Sequence, residues 1–290
     1  MANQSTKKQS LFHDSLRRFK QDKFALISLV IAIIIIVSSF IVPLVFYDAN
    51  YYSNIDLYNA SQAPSLAHWF GTDQLGRDIF IRVLVGGQTS IEIALVATVV
   101  SVVIGTLYGA FAGFIGGKID GFMMRIVDGL YALPFLFFAI LLVTLFGRNF
   151  ILVFIAIGIV SWLDVARVVR GQTIALKNKE FIEAARVSGL SSFKIVQKHI
   201  LRNLIGIVVV YITLTIPTVL MLSAFLGFLG LGVQPPMTGW GEMISDGSAY
   251  IAMGYWWMLL FPALFLTVTL LTLNFIGNAM PHALDPKSKR

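Results

Sequence analysis

Residues 180–201, EFIEAARVSGLSSFKIVQKHIL, decide how this chain is read. The stretch is polar, basic and helical in pattern, with a single glycine at its centre. The segments on either side are apolar enough to cross a bilayer. Lys179 to Val187 reads as a helix, with Glu180 and Glu183 in its early turns, where carboxylates suit the helix dipole. Phe181, Ala184, Ala185 and Ser188 recur at spacings of three and four and fall on or near one face, which the alanines leave flat. Gly189 supplies the residue able to take positive φ at a helix end. Ser191 or Ser192 can cap a second helix, Phe193 to Leu201. The pattern predicts two short helices at a fixed angle, with Glu183 presented at the bend. An ordinary helical hairpin accounts for it equally well.

Of the 290 residues, 57% are hydrophobic and 13% charged, and mean hydropathy is +0.80. Soluble domains carry roughly 25% charged residues, so the composition is that of a membrane protein. Cysteine is absent, which excludes thiol chemistry and thiolate metal sites. The four histidines (His13, His68, His199 and His282) lie in polar segments, away from mid-membrane.

Six stretches are expected to span the membrane: 24–46, 89–115, 123–146, 149–166, 204–226 and 256–278. Each approaches or exceeds the ~20 apolar residues that cross ~30 Å of hydrocarbon. The first is too long for a signal peptide and no cleavage site follows it. If the spans alternate, Arg77, Arg82 and Arg148 alone fall on one side. All other Lys and Arg fall on the opposite side, which places both termini and the 167–203 loop in the cytoplasm. The net charge of +7 is thus mostly positive-inside bias and not a nucleic-acid surface. Leu11, Phe12, Leu16 and Phe19 among Arg17, Arg18 and Lys20 predict an amphipathic helix on the inner membrane surface.

The predicted spans carry no central charge: Glu92 is expected at the outer end of the second, and Arg125, Asp128 and Asp164 at inner ends. A charge at mid-span costs about 2.5–3.5 kcal/mol even on the mild insertion scale and marks ion pathways. Its absence argues against a proton- or sodium-coupled secondary transporter. No metal-ligand set or nucleophile–base pair supports an intramembrane enzyme. GFIGGKI at 113–119 has the wrong spacing for a phosphate loop, and no cytoplasmic segment is large enough to hold an ATPase. Gly105, Gly109, Gly113, Gly116 and Gly117 form a small-residue series permitting close helix contact. Pro134, Pro217 and Pro262 are expected to bend three other spans.

Outside the spans, Thr72 is expected to cap an interfacial helix with Asp73 in its first turn, and Asp73–Arg77 and Asp78–Arg82 to pair at i,i+4. Trp240, Tyr250, Tyr255, Trp256 and Trp257 read as an outer aromatic belt.

EAARVSG followed by KIVQKHIL resembles the EAA loop of ABC importer permeases, with Glu183, Ala184, Ala185 and Gly189 at the motif positions, flanked by Phe181 and Arg186. SWLDVARVVRGQ at 161–172, HWFGTDQLGRDIF at 68–80 (with Gly71, Thr72, Asp73, Gly76, Arg77 and Asp78), FLGLGVQPP with Trp240 and Gly241, and ALDPK at 283–287 resemble further elements of the oligopeptide and dipeptide permeases. The resemblance implies an all-α polytopic membrane protein of six transmembrane helices, with a MetI-like core (89–278) of the type I importers and an additional N-terminal helix (24–46). It implies a cytoplasmic segment 1–23, external loops 47–88 and 227–255, a coupling loop 167–203 and a cytoplasmic tail 279–290.

By the same resemblance the chain is a non-catalytic permease subunit in the bacterial inner membrane. It binds no cofactor, and ATP and magnesium are used by two partner ATPases. A homologous second permease, an extracytoplasmic peptide-binding protein and the peptide complete the partners. Oligopeptides are the implied cargo, with dipeptides, antimicrobial peptides or nickel as alternatives. Two departures stand out: Arg202 replaces a proline, and Met280, Pro281 and His282 replace a Leu-Arg-Asp run.

Overall fold

The computed structural model describes residues 19, 21–46, 51–147 and 150–284. The amphipathic stretch expected before the first span, and the last six residues, lie outside the described residues. Among the described residues ten α-helices carry the architecture: α1 (Lys23–Phe46), α2 (Ile79–Ile115), α3 (Gly117–Tyr131), α4 (Phe135–Phe146), α5 (Phe150–Lys177), α6 (Glu180–Val187), α7 (Ser192–Ile195), α8 (Leu201–Phe228), α9 (Trp240–Tyr250) and α10 (Trp257–Leu284). No β-strand occurs among the described residues; one isolated bridge joins Thr72 and Asp78. Among the described residues, four helical segments are long and apolar enough to cross a membrane, or five if the bent pair α3–α4 counts as one span. The remaining expected span, 149–166, falls on α5, whose described part from Phe150 is not among these segments.

Three boundaries differ from the sequence expectation. α2 starts at Ile79, well before residue 89, because Asp78 caps it by accepting N–H bonds from Phe80 and Ile81. The expected span 123–146 is broken by 78° between α3 and α4. Pro134 lies at the break, where it has no N–H to give and its ring collides with a continuing turn. Pro217 and Pro262, by contrast, lie inside continuous helices. α10 runs on to Leu284 with Pro281 inside it, so the expected tail begins as helix.

The centre of the fold is the contact of α2 with α5. A Cβ on Gly105 would lie 2.7 Å from the Trp162 carbonyl and one on Gly113 2.7 Å from that of Arg170; on Gly109 it would overlap the Ala166 carbonyl. The glycines let two backbones touch, as small residues do in membrane interfaces. Partners advance in step on both helices, so α2 and α5 run in the same direction. Gly116 and Gly117 take no part in this ridge; both have positive φ and form the turn into α3. Arg170 clamps α3 to α5 by donating from both Nε and Nη2 to the Asp120 carboxylate, at 2.5 and 2.6 Å. α1 packs at the edge of the core, to which it contributes Ile35, against α2 where Ser39 meets Gly87 and against α10 where Phe24 stacks on Phe275.

Replacing Gly109 by valine should separate α2 from α5 and lower the thermal midpoint of the detergent-purified protein by several degrees, since overpacking costs about 1–3 kcal/mol. Gly121→Val, where a Cβ meets nothing within 4 Å, is the control, read in the same fluorescence-based melt.

Candidate coupling surface and external loop knot

α6 and α7 hang below the glycine ridge and are fixed to it from inside. Ile182 and Ala185 of α6 pack with Ile195, Val196 and Ile200 against Phe114, Val165, Val169 and Leu204. The α6 end is closed by a Schellman motif: Gly189 N–H bonds the Arg186 carbonyl at 2.9 Å and Leu190 N–H that of Ala185 at 3.2 Å. Gly189 has φ +79°, and a Cβ there would meet nothing within 4 Å. The glycine is therefore required by its backbone conformation and not by crowding. Ser191 accepts from Lys194 N–H at 3.5 Å at the start of α7. The second helix is not separate: α7 passes through a π-turn, Val196–Ile200, into α8. Arg202 sits in the first turn of α8, where the helix continues without a break.

The two alanines part company. Ala185 is buried, and Ala184 is exposed on the outer face beside Phe181, Glu183, Arg186 and Val187. The expected flat face holding both alanines is thus split, because Ala185 and Ile182 supply the inward stripe. Arg186 lies over the Phe114 ring, 5.4 Å from its centroid. No ion pair among the described residues engages Glu183. What α6 presents is an outer face of Phe181, Glu183, Ala184, Arg186 and Val187, two residues away from α5 and joined through the Gly189 cap to the α7–α8 helix.

At the opposite end, residues 56–82 form a knot instead of the expected interfacial helix. Thr72 is fully buried; its hydroxyl accepts from Gln62 N–H at 2.8 Å and donates to the Asn59 carbonyl. Asp73 accepts from Leu75 and Arg77 N–H on one oxygen, and from Arg77 Nε and Arg82 Nη1 on the other, both at 2.7 Å. The Asp73–Arg77 pair thus forms as expected, but Arg82 pairs with Asp73 and not with Asp78. Asp78 instead caps α2 and bonds His68 Nδ1 at 2.8 Å. Gly71 and Gly76 both have positive φ, and a Cβ on Gly76 would overlap the Asp56 carbonyl. Arg82 Nη2 reaches Thr238 Oγ1 at 3.3 Å, and Trp257 Nε1 donates to the Thr72 carbonyl at 3.1 Å. The knot therefore ties the 56–82 and 227–255 segments to α10.

Sequence reading missed Glu242. Its carboxylate accepts Val233 N–H at 2.7 Å and fills a space where a Cβ on Gly227, Gly232 or Gly239 would collide with it. The glycines of GFLGLG followed by a lone acid in WGE were the available signal. Burial raises the Glu242 carboxyl above its ordinary range, partly offset by backbone N–H bonds. Burial likewise raises Asp246, against the pull of Arg82 and Arg77. Trp240 is wholly buried beside them, its Nε1 donating to the Val83 carbonyl at 2.9 Å. The other belt residues, Tyr250, Tyr255, Trp256 and Trp257, stand near the start of α10, where Phe70 stacks on Phe261 at 4.0 Å.

Removing Asp73 should cost about 3–5 kcal/mol by stranding the buried Arg82 charge; Asp73→Ala should therefore melt far below Asp56→Ala, which removes only an exposed cap. Glu242 and Asp246 hold protons more tightly folded than unfolded. Their contribution is complete below the ordinary carboxylate range and is lost as pH rises through their raised values. Melting temperature measured from pH 8 to pH 5 should rise on acidification, with a shallower rise in Glu242→Gln.

Residues 105–290 match the model of the binding-protein-dependent transport system inner membrane component. Residues 10–64 match the N-terminal TM domain of oligopeptide transport permease C. The oligopeptide transport system permease protein OppC of Haemophilus influenzae is 47% identical, covering 97% of this chain and 90% of that protein. OppC of Escherichia coli K12 is 48% identical over 97% of this chain and 93% of that one. The dipeptide transport system permease protein DppC of Bacillus subtilis is 40% identical over 99% and 89%. Among solved structures, an inward-facing MetNI methionine ABC transporter chain superposes with a TM-score of 0.58 at 19% identity, covering 71% of this chain and 98% of that chain. That likeness extends to the fold, and the sequence matches extend to almost the whole chain. The protein belongs to the family of binding-protein-dependent transport system inner membrane components, as a multi-pass membrane permease.

Proposed function

We propose that this chain is one of two permease subunits of an ATP-driven importer that carries oligopeptides across the bacterial inner membrane, and that α6 is its coupling element. The observation that carries this reading is the acidic, unpaired outer face of α6 on a frame anchored to α2, α5 and α8. A helix pair that must transmit a push across an interface has to be stiff inside and chemically open outside. The 167–203 region meets both needs. Glu183 is assigned to a basic group on the ATPase, with Phe181, Ala184 and Arg186 around it; Ala185 and Gly189 shape the element from within. ATP and magnesium are used by the ATPases and not by this chain.

The identity of 47–48% with OppC proteins over 97% of the chain supports oligopeptides as cargo, and dipeptides are the nearest alternative. Lys and Arg placement supports cytoplasmic termini and a cytoplasmic α6–α7. The external loops 47–88 and 227–255 then face the binding protein. Gly71, Thr72, Asp73, Gly76, Arg77 and Asp78 act there as the builders of a rigid platform.

Purification in mild detergent from native membranes, followed by mass spectrometry, should recover a second permease, two ATPases and a peptide-binding protein. Glu183→Lys and Gly189→Pro should each abolish ATP-driven peptide uptake while leaving membrane insertion intact. Gly189→Pro acts because proline cannot adopt φ +79°. Full uptake by either variant, or uptake by the chain without any ATPase, overturns the coupling role.

A further inference from the structure

Glu92 does not stand at the outer end of its span. α2 begins at Ile79, so Glu92 lies well inside the helix, and two neighbours set its depth. Ser39 of α1 meets α2 at Gly87. From Phe46, the outer end of α1, down to Ser39 is about 10 Å, and from Gly87 down to Glu92 about 7 Å more. That is roughly half the ~36 Å rise of α1. On the other side, Ile212 of α8 and Val99 of α2 line one groove. Glu92 is about 10 Å outward of Val99, whereas α8 continues for about 24 Å outward of Ile212, as far as Phe228. Both registers put the carboxylate below the outer ends of α1 and α8, two residues past Ser90, whose hydroxyl accepts Trp240 N–H of the 227–255 loop.

Its direction follows from helical geometry. At 100° per residue, Glu92 points about 140° away from Gly87, where α1 packs, and as far from Gly105, where α5 packs. It is exposed on that open face. Gln88 Nε2 donates to Glu92 Oε1 at 3.1 Å, and no ion pair among the described residues includes it. Below it the same face carries exposed Leu95, Val99 and Val103 and enters a groove of about 330 Å³ between α2 and α8. A carboxylate at this depth does not face lipid; such groups face a water-filled path or a charged partner.

We propose that Glu92 lines the translocation path and holds a cationic group of the passing peptide, its free α-ammonium foremost. The inference rests on the permease reading above and extends it to a substrate contact. Gln88 orients the carboxylate by satisfying one oxygen, leaving the other for an ammonium donor. The aliphatic wall beneath gives the side chains of the peptide a surface that neither binds nor repels them by charge.

The test uses the complete importer in proteoliposomes with ATP. Uptake of trialanine should fall about tenfold in Glu92→Gln, while uptake of N-acetyl-trialanine changes less than twofold. Because the chain has no cysteine, Glu92→Cys supplies a single thiol. It should react with a membrane-impermeant cationic thiosulfonate in the assembled complex, and trialanine should slow that reaction. Equal losses for both peptides overturn the proposal, as does an unreactive thiol. Loss of the second permease from Glu92→Gln preparations also overturns it and assigns the carboxylate to a pair between subunits. If wild-type importer still takes up trialanine with ATP, these failures leave the permease reading standing; absence of ATP-driven uptake by the wild type refutes that reading itself.

Discussion

The backbone contact between α2 and α5 governs the rest of the molecule. Without Cβ atoms at Gly105, Gly109 and Gly113, α2 lies directly against the α5 backbone at Trp162, Ala166 and Arg170 and against the side chains of Val165 and Thr173. Hydrophobic force does not hold helices together in lipid, so this area of direct van der Waals contact is what holds α5 in place. α5 then leads, after a two-residue break, into α6. Ile182 and Ala185 press α6 back against the lower ends of the same helices. A displacement at the outer face of α6 therefore has no soft element in which to dissipate before it reaches α2, α5 and α8.

The two ends of the protein solve the same problem with different chemistry. The α6 end is held by aliphatic packing and a glycine cap. The end formed by the 56–82 and 227–255 segments is held by buried charge: Asp73 neutralises Arg82, and Glu242 fills the space left by three glycines. Buried ionic groups cost desolvation, so their use here is compensated by many backbone N–H donors. What the loops gain is a single shape, tied to α10 through Trp257 and faced by the stacked Phe70 and Phe261.

Much of this was legible in the residues because the membrane is a demanding solvent. Long apolar runs announce the spans, and Gly189 announces the cap, since both effects are local. The start of α2 was hidden because Arg82 and Gln88 make its first turns look hydrophilic, although Arg82 is neutralised from a loop. Asp78–Arg82 has ideal spacing for a helical pair, but Asp78 is spent on capping the helix, and only the folded loop brings Asp73 near. Ala184 and Ala185 were indistinguishable as small residues; which of them turns inward depends on the rotation set by Ile182.

The π-turn at Val196–Ile200 has a mechanical meaning of its own. Leu201 N–H bonds the carbonyl of Val196, five residues back, so one surplus residue is stored between the α6–α7 unit and α8. Such a residue cannot be absorbed gradually: a helix either holds it or passes it along. Passing it out would turn everything N-terminal by about 100° and shift it by about 1.5 Å relative to α8. The joint between the α6–α7 unit and α8 is therefore a widened turn of continuous helix, and not a break.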